Sequence, residues 1–329
     1  MEFRTQVKLG KSEFLLSHQH KVLLMGSCFA QEVGQRLQND KFNCLLNPFG
    51  ILYNPASICK SLERIVAGTL FTENDLQKQG EMFFSWMHHS DFSATTEKET
   101  LQLMNTSLQE ANAMLHELDV LVLTFGTNRC YKWKKSGEIV GNCHKVPENQ
   151  FEVVDLSINE MVGMLTETLG KLWEINPKLQ VIFTVSPIRY AKYGFHGSQL
   201  SKASLLLLCH EVANVSSGRA QYFPAYEIMM DELRDYRFYA TDMLHPSSLA
   251  VDYIYDRFGE WCFGEDTIRL MQQYRPVLRA LQHRPKNDKG EEYAAFLRQT
   301  LSKIEKLKKE YPFLPLEKEI EICNIRLSR

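Results

Sequence analysis

Three short apolar runs stand out in the first two thirds of the chain, and each of them ends at a turn. They cover residues 22–25, 120–124 and 181–185, and the turns begin at Gly26, Gly126 and the Ser186-Pro187 pair. Such runs are too short for helices and are apolar at nearly every position, which is typical of strands buried on both faces of a parallel sheet. The pattern therefore predicts three central parallel strands.

Stretches with helical periodicity lie between and around these runs. After the first run, Phe29, Val33 and Leu37 repeat at the spacing of one helix face. Further helical segments cover residues 55–67, 95–117, 156–173 and 198–213. This alternation predicts an α/β fold with crossover helices between parallel strands. In such sheets ligands bind beyond the carboxyl ends of the strands, so we expect the functional residues in the turns that follow them.

The pattern changes after Phe263. Residues 266–282 and 291–311 show helical spacing, and no further strand is predicted. The sequence therefore predicts an α/β domain over residues 1–264 and a C-terminal helical extension over 265–329, with a polar linker at 286–290. The apolar stripe of the extension has to be buried against another surface, and its balanced charges argue against nucleic acid as that surface. We therefore expect the extension to pack on the α/β domain or, in a homo-oligomer, on a second copy of the chain.

Composition narrows the classes of function. The 329-residue chain has 38 basic and 40 acidic residues, so it lacks the basic excess of proteins that bind nucleic acids or anionic membranes. No apolar run reaches the ~18 residues that span a bilayer, and the N-terminus lacks the apolar core of a secretory signal, so we expect a cytoplasmic protein. The eight cysteines include no CxxC pair, which argues against a disulfide framework and a structural zinc site. A small-molecule partner is the remaining expectation.

The turn after the first strand carries two candidate nucleophiles. Ser27 and Cys28 follow Gly26 where a helix begins, and the positive end of a helix favours an anion at that point. The register favours Cys28, because the second residue after the glycine reaches the N–H groups of the helix. The alternative is that Ser27 caps the helix and Cys28 is a buried, unreactive thiol.

An acid and a histidine lie three residues apart near the end of the α/β region. Asp242 can hold the ring of His245 in the tautomer that takes a proton from a nucleophile. A base of this kind must come within ~3 Å of the nucleophile, or somewhat farther in an empty site. The alternative is that Asp242 only caps a helix that begins near Ser247.

Two other turns offer hydrogen-bond donors for a negatively charged oxygen. Asn128 follows Gly126 in the second turn and could donate its side-chain amide, and Gly50 could donate its backbone N–H. Both the Gly-Thr-Asn and the Asn-Pro-Phe-Gly sequences are also common in ordinary turns.

In their order and spacing these turns resemble the four sequence blocks of the SGNH (GDSL-like) hydrolase superfamily. Within it, the sequence Gly-Ser-Cys-Phe-Ala at residues 26–30 is similar to the motif that names the GSCFA family. Further stretches similar to that family lie at residues 47–55, 142–145, 186–189, 223–228 and 235–239. The resemblance, which covers roughly residues 1–263, implies a flavodoxin-like three-layer α/β/α fold and an enzyme that hydrolyses or transfers an acyl group.

The resemblance also implies roles for particular residues. It matches the orienting acid, the general base and the two oxyanion donors to Asp242, His245, Asn128 and Gly50, respectively. The first block departs from the superfamily pattern Gly-Asp-Ser, because Ser27 stands at the aspartate position and Cys28 at the nucleophile position. The catalytic set expected here is therefore Cys28 or Ser27 with His245 and Asp242.

Candidates for substrate binding lie on two further connections. They are Asn142, Cys143, His144 and Lys145 after the second turn, and Arg189 after the third strand. Lys145 would suit an anionic group of a substrate, whereas Arg189 could equally form a local salt bridge. A metal site built from Cys28, Cys130, His144 and His245 is the alternative, but the cysteines lack the close pairing of zinc ligands, so no metal is expected.

The function expected from these residues is that of an esterase or deacetylase, in which a nucleophile attacks the carbonyl of an ester and an acylated carbohydrate is the candidate substrate. No cofactor is expected for this reaction. One alternative is an O-acyltransferase that uses acyl-coenzyme A. The other is a catalytically silent module that binds a ligand in the same cleft.

Overall fold

The strands that the structure describes form one large and two small sheets. The structure is a computed structural model that describes residues 4–283, 285 and 290–328. Apart from Gly290, the predicted linker at 286–290 therefore lies outside the described residues. The strands are β1 (Lys21–Gly26), β2 (Asn43–Leu46), β3 (Gln77–Gln79), β4 (Met82–Phe84), β5 (Val120–Phe125), β6 (Arg129–Trp133), β7 (Ile139–Val140), β8 (Phe151–Asp155), β9 (Gln180–Val185) and β10 (Ala220–Tyr222).

Helices occupy most of the chain between and after these strands. They are α1 (Cys28–Asn39), α2 (Pro55–Ala67), α3 (Glu97–Met114), α4 (Ile158–Ile175), α5 (Gly194–Val215), α6 (Ala225–Glu227), α7 (Ser248–Cys262), α8 (Glu265–Gln282), α9 (Glu291–Glu310) and α10 (Glu317–Leu327). The short α6 continues into a π-helical turn at Ile228–Glu232.

The large sheet contains β2, β1, β5, β9 and β10 in that spatial order, and all five strands are parallel. Numbered along the chain, they follow the order 2-1-3-4-5 of flavodoxin-like folds. Every residue of β5 is buried, and so is all of β1 and β9 except their first residues. The three apolar runs of the sequence are therefore the three central strands, and the expected parallel α/β fold is confirmed.

Alternate residues of the strands face two separate cores. In β5, Leu121 and Leu123 pack with α2, α3, α4 and α5 on one face of the sheet. Val120 and Val122 point the opposite way and pack with α1 and α7. Helices thus cover both faces, which gives the three-layer α/β/α architecture that the family resemblance implies.

Several elements are not among those expected from the sequence. The edge strands β2 and β10 are short and partly polar, so they lack the continuous apolar signal of a buried strand. Two antiparallel sheets, β3–β4 and β7–β6–β8, are built from the connections that follow α2 and β5. Their strands have two to five residues and depend on packing rather than on a periodic pattern.

Gly26 lets the chain leave β1 close to its neighbour strand. Its φ angle is +143°, and a Cβ atom at this position would lie 2.2 Å from the carbonyl oxygen of Thr124 in β5. The same oxygen accepts a hydrogen bond from the Ser27 N–H at 3.1 Å. Only glycine fits this close approach, and α1 begins two residues later at Cys28.

The C-terminal helices have their own core and pack on the α/β domain. Tyr274 and Val277 of α8 pack with Ile304 of α9 and Cys323 of α10. Met271 of α8 belongs instead to the core that α1 and α7 share with the sheet. Packing on the α/β domain is thus as expected, whereas packing on a second copy and a domain boundary at residue 264 stay predictions.

A buried carboxylate anchors this extension to the domain. Asp40, at the end of α1, is 4% exposed and accepts hydrogen bonds from Arg275 of α8 at 3.0 Å (Nε) and 2.9 Å (Nη2). The Tyr255 hydroxyl of α7 donates to the same carboxylate at 2.9 Å. One charge therefore links three helices from both parts of the chain.

A buried aromatic cluster joins the small sheets to the domain. His88 is fully buried and stacks on Phe49, with ring centroids 4.5 Å apart, and neither of its ring nitrogens has a hydrogen-bond partner in the described part of the chain. His144 stacks on Phe84 at 4.0 Å, and its Nε2 lies 3.1 Å from the carbonyl oxygen of Ser85. Burial lowers the pKa of His88 to about 3 and that of His144 to about 4, so both rings are neutral at pH 7.

We expect Arg275→Met to destabilise the protein by about 1–3 kcal/mol, because the substitution leaves the Asp40 carboxylate buried without its cation. The measurement is the free energy of unfolding in urea. Arg279→Met, one turn farther along the same helix at an exposed position, is the matched control. Equal stability of the two variants would contradict the anchoring role of Asp40.

We also expect His88 to make the fold sensitive to acid. In the unfolded chain this histidine is protonated near pH 6.5, whereas the buried ring is protonated only near pH 3. The contribution of His88 to the free energy of unfolding is therefore complete above pH 6.5 and declines as the pH falls through this window. By pH 5 the loss from this residue is about 2 kcal/mol.

The test compares urea unfolding at pH 7 and pH 5 for the parent and for His88→Leu. The pH-dependent loss should be about 2 kcal/mol smaller in the variant, whatever its stability at pH 7. His116→Gln, at an exposed site, should leave the loss unchanged. An identical loss in His88→Leu and the parent would show that the folded protein protonates His88 as readily as the unfolded chain does.

Candidate active site

The two candidate nucleophiles lie in different environments. Ser27 is fully buried, and its hydroxyl accepts a hydrogen bond from the Phe29 N–H at 3.3 Å as the cap of α1. Cys28 is the first residue of α1 and is only partly buried. The alternative interpretation of this turn is therefore correct for the cap, whereas Cys28 is partly rather than fully buried and its reactivity stays a prediction.

Opposing effects act on the Cys28 thiol. Burial, the largest of them, raises its pKa above the ordinary value. The N–H of Phe29, the positive charge of Lys202 and its own N–H lower the pKa, while the carboxylate of Glu32 raises it. The helix N-terminus thus acts on Cys28 as the sequence predicts, but the N–H groups and the charge of Lys202 together do not overcome the effect of burial, and the pKa of the thiol stays raised.

The predicted acid–histidine pair is formed. Nδ1 of His245 lies 2.6 Å from Oδ2 of Asp242, and both side chains are nearly half exposed. The other carboxylate oxygen accepts the backbone N–H groups of Leu244 and His245 at 2.9 and 3.0 Å. These N–H groups and the ring lower the pKa of Asp242 to about 2. An ionised Asp242 accepts the Nδ1 proton, which leaves Nε2 of His245 as a proton acceptor.

The loop that carries this pair is tied to the end of β9. The Arg189 N–H donates to the Leu244 carbonyl at 3.1 Å, and the Arg189 guanidinium donates to the Met243 carbonyl at 3.2 Å. The cap of α7 is Ser247, whose hydroxyl accepts the Ala250 N–H, so the alternative that Asp242 caps this helix is wrong. Arg189 holds the loop of the Asp242–His245 pair, and its contact with a substrate stays a prediction.

The geometry falls short of a closed triad. Cys28 follows β1, and the His245 loop is bound to the segment after β9, so both lie beyond carboxyl ends of the same parallel sheet. Within residues 4–283, 285 and 290–328, however, the His245 ring is hydrogen-bonded to Asp242, and neither Cys28 nor Ser27 is hydrogen-bonded to it. The roles of Cys28 and His245 stay predictions, because the hydrogen bond that would link them is not made.

The two predicted oxyanion donors already donate hydrogen bonds to other groups of the protein. Asn128 is buried, and its side-chain amide donates to the Leu156 carbonyl at 2.9 Å. An amide has a second N–H, so Asn128 retains a donor. The single N–H of Gly50 donates to the Asn47 carbonyl at 2.7 Å within a turn. The oxyanion role of each residue stays a prediction, and Gly50 would have to give up its turn bond to perform it.

The segment Asn142 to Lys145 has a structural task. The Asn142 side chain accepts the His144 N–H at 2.8 Å, and the His144 ring belongs to the buried aromatic cluster. Cys143 is partly buried, and burial raises its pKa to about 11. Lys145 is exposed. Substrate binding by these four residues stays a prediction.

Sequence reasoning missed a lysine at the centre of this edge of the sheet. Lys202 of α5 is 1% exposed, and its ammonium donates to the carbonyls of Gly126 and Ser186, both at 2.7 Å. These residues directly follow β5 and β9. A signal was available, because Lys202 lies on the buried stripe of α5 with Ser198, Ser201 and Leu205.

Other kinds of site find no support in the described residues. No group of three or more histidine, cysteine, aspartate or glutamate side chains is arranged there to hold a metal ion. None of the helices in that part of the chain is long and apolar enough to cross a membrane. All eight cysteines are described, and each is a free thiol.

Comparison with solved structures gives only distant likenesses. One is to a protein from Streptococcus pneumonia provisionally described as a platelet activating factor, with 11% identity, a TM-score of 0.37, and coverage of 73% of this chain and 83% of that one. Another is to an acetyl xylan esterase from the rumen bacterium Butyrivibrio proteoclasticus, with 10% identity, a TM-score of 0.34, and coverage of 74% and 63%. TM-scores this low carry no argument about function.

Comparison with protein families is more specific. No curated protein matches the chain. The GSCFA family matches residues 21–258, which include the β1 turn and the His245 loop, and the C-terminal domain of GSCFA domain proteins matches residues 275–329. The first match covers more than half of the sequence, and the chain therefore belongs to the GSCFA family.

Proposed function

We propose that this protein is an ester hydrolase of the SGNH type in which Cys28 is the nucleophile. The observation that carries the proposal is the placement of two chemical groups beyond the carboxyl ends of one parallel sheet. One is a partly exposed thiol at the N-terminus of α1, and the other is the Asp242–His245 pair, which is oriented by a 2.6 Å contact. Ligands of such sheets bind at this edge.

The reaction begins with the transfer of the Cys28 proton to Nε2 of His245. The sulfur attacks the ester carbonyl carbon, and the second N–H of Asn128 together with N–H groups at the start of α1 stabilises the resulting oxyanion. Collapse of this intermediate breaks the bond to the alcohol, which leaves with the proton from His245. Water then attacks the thioester, gives its proton to His245, and releases the acid and the thiol.

The choice of Cys28 rests on exposure. Ser27 is fully buried, and its oxygen caps α1, so a substrate carbonyl has no access to it. Cys28 is partly exposed at the end of the helix that favours an anion. Proton transfer requires Cys28 and His245 to approach to ~3–3.5 Å, so the proposal includes a shift of the His245 loop when substrate binds.

The surroundings of the loop favour an acylated carbohydrate as substrate. Phe195 and Tyr236 are exposed aromatic residues whose rings flank the Arg189 guanidinium, at 4.5 and 5.6 Å from their centroids. Aromatic faces beside a polar loop provide an apolar surface with adjacent hydrogen-bonding groups, which suits a sugar ring. The acyltransferase and the silent binding module remain the competing functions.

We expect Cys28→Ala to lower the hydrolysis of aryl acetates and acetylated sugars by about 10³-fold or more, because it removes the attacking atom. Ser27→Ala removes only a helix cap, so it should cost about 1 kcal/mol of stability and leave most of the turnover. Cys44→Ala is the matched control, since Cys44 is also partly buried but lies on β2.

The assay is run with water alone as acceptor and with acetyl-coenzyme A as donor. Loss of turnover in Ser27→Ala but not in Cys28→Ala would show that Ser27 is the nucleophile. Turnover that appears only with acetyl-coenzyme A would identify an acyltransferase. A parent protein inactive in every assay would leave the binding module as the function.

Asp242→Asn tests the orientation of the histidine. Asparagine keeps an oxygen for the Leu244 and His245 N–H groups but presents an NH2 group to Nδ1, which turns the His245 ring into the tautomer that cannot accept a proton at Nε2. We expect kcat/KM to fall by about 10³–10⁴-fold with an unchanged melting temperature. A loss of less than tenfold would exclude Asp242 from the catalytic set.

A further inference from the structure

The helix α5 is apolar on its outward face as well as on its buried face. Leu200 and Leu207, two turns apart, are 58% and 47% exposed. Of the ionisable side chains in this helix, Lys202 is buried, so the outward surface has one carboxylate, Glu211, and two histidines. A surface helix of a globular protein normally presents charged and polar residues to solvent. The outward face of α5 therefore has the composition of a contact surface.

Six residues form a single stripe along this face. An α-helix turns by about 100° per residue, and at that rotation the six lie within about 50° of one line. Ser204 is partly buried and the other five are exposed. This α5 stripe consists of His196, Leu200, Ala203, Ser204, Leu207 and Glu211. No element in the described part of the chain covers it, whereas Ser198, Leu205 and Cys209 on the opposite side of the helix are buried in the domain.

The central part of the α5 stripe matches itself when its direction is reversed. Two small residues, Ala203 and Ser204, lie at its midpoint, and a leucine lies about one turn to either side. Two copies of α5 that cross antiparallel at this midpoint place Leu200 of each copy on Leu207 of the other, as in an interface with two-fold symmetry. The Ser204 hydroxyl donates to the Leu200 carbonyl of its own helix at 3.0 Å, so its burial leaves no donor unsatisfied.

The two ends of the α5 stripe differ in charge. His196 and Glu211 are both exposed, and each lies about two turns from the midpoint. In the antiparallel pair, His196 of each copy faces Glu211 of the other, where the imidazole can donate a hydrogen bond to the carboxylate. A parallel pair would instead bring the two Glu211 carboxylates together, which like-charge repulsion disfavours. The charges therefore select the antiparallel arrangement.

We propose that the α5 stripe is the interface of a symmetric dimer, in which α5 of one copy packs antiparallel on α5 of a second copy. A helix that binds an anionic membrane or a nucleic acid presents lysines and arginines, and the one lysine of α5 is buried. A second copy offers both the leucines and the complementary charges that the stripe requires. This interface involves neither the C-terminal helices nor the candidate active site.

The first test is sedimentation equilibrium of the full chain. One helix pair is a small interface, so we expect a Kd on the order of 1–100 µM and measure up to about 300 µM. Leu207→Glu buries a charge at two symmetric positions and should raise the Kd about 100-fold or more. Leu103→Glu, which changes a leucine that is 45% exposed on α3, is the matched control and should dimerise like the parent.

The second test exchanges the charges at the ends of the stripe. His196→Glu places two carboxylates opposite each other at both ends of the interface and should weaken the dimer about tenfold. Addition of Glu211→His to this variant restores the complementary pairs in the opposite order, so the double variant should dimerise nearly as well as the parent. A double variant as weak as His196→Glu would contradict the antiparallel pairing.

The third test determines the register by disulfide formation. A mixture of Leu200→Cys and Leu207→Cys should give a cross-linked dimer under mild oxidation, and mass spectrometry should find the bond between residues 200 and 207. Each variant alone should give no such dimer above the background of the parent, because equal positions lie about 10 Å apart along the helix and a disulfide spans less than ~7 Å between Cα atoms.

These changes affect exposed side chains, and unchanged melting temperatures of the diluted variants confirm that they fold. A parent that stays monomeric up to about 300 µM would overturn the proposal and leave the α5 stripe to a different protein. A dimer that persists in Leu207→Glu would also overturn it, because another surface would then hold the copies together. Cross-links between equal positions would show a parallel pair and contradict the proposed interface.

Discussion

The backbone N–H and C=O groups that follow the carboxyl ends of buried parallel strands cannot form hydrogen bonds with a neighbouring strand. The rest of this structure depends on the other hydrogen-bond partners that these groups find. The Gly126 and Thr127 N–H groups donate to the Tyr53 carbonyl at 2.7 and 3.0 Å. The Leu52 N–H donates to the Gly26 carbonyl at 2.9 Å. Each turn is thereby hydrogen-bonded to a neighbouring connection. The same hydrogen bonds that satisfy the ends of the strands therefore also position the residues of the candidate site.

The carbonyls of Gly126 and Ser186 are satisfied by a charged side chain. Lys202 reaches between α5 and the sheet and bonds both. An asparagine or serine could donate hydrogen bonds to such carbonyls without carrying a charge. An ammonium group adds a positive electrostatic potential at this edge of the sheet.

Much of the fold could be predicted from the sequence, because its central elements are defined locally. Buried strands β1, β5 and β9 appear as uninterrupted apolar runs, and α2 has its predicted bounds because Asn54 caps it, Pro55 begins it and Gly68 ends it in the left-handed conformation. The edge strands and the two small sheets could not be predicted, since their stability comes from contacts with distant segments rather than from a pattern of their own.

Only part of the candidate site could be predicted from the sequence, for the same reason. The Asp242–His245 pair is visible in the sequence because its partners are three residues apart and meet within one turn. Ser27 and Cys28 differ in exposure because of the direction that the chain takes after the turn at Gly26. The sequence does not reveal which of two adjacent side chains is buried there. Lys202 lies 76 residues from Gly126 in the sequence, so only the folded chain brings its ammonium to that carbonyl.

These constraints give a physical account of why a thiol, and not a hydroxyl, would stand at the nucleophile position. A serine hydroxyl does not ionise near neutral pH, so it needs its base in contact at the moment of attack. A thiol has a much lower pKa than a hydroxyl, so it can give up its proton to a base that comes into contact only when substrate binds. In this protein the His245 ring forms no hydrogen bond with Cys28 in the described structure, and burial raises the pKa of the thiol, so the empty site keeps Cys28 protonated at neutral pH. Exchange of serine for cysteine therefore suits the proposed reaction, in which His245 takes the thiol proton on substrate binding, passes it to the leaving alcohol and then activates water.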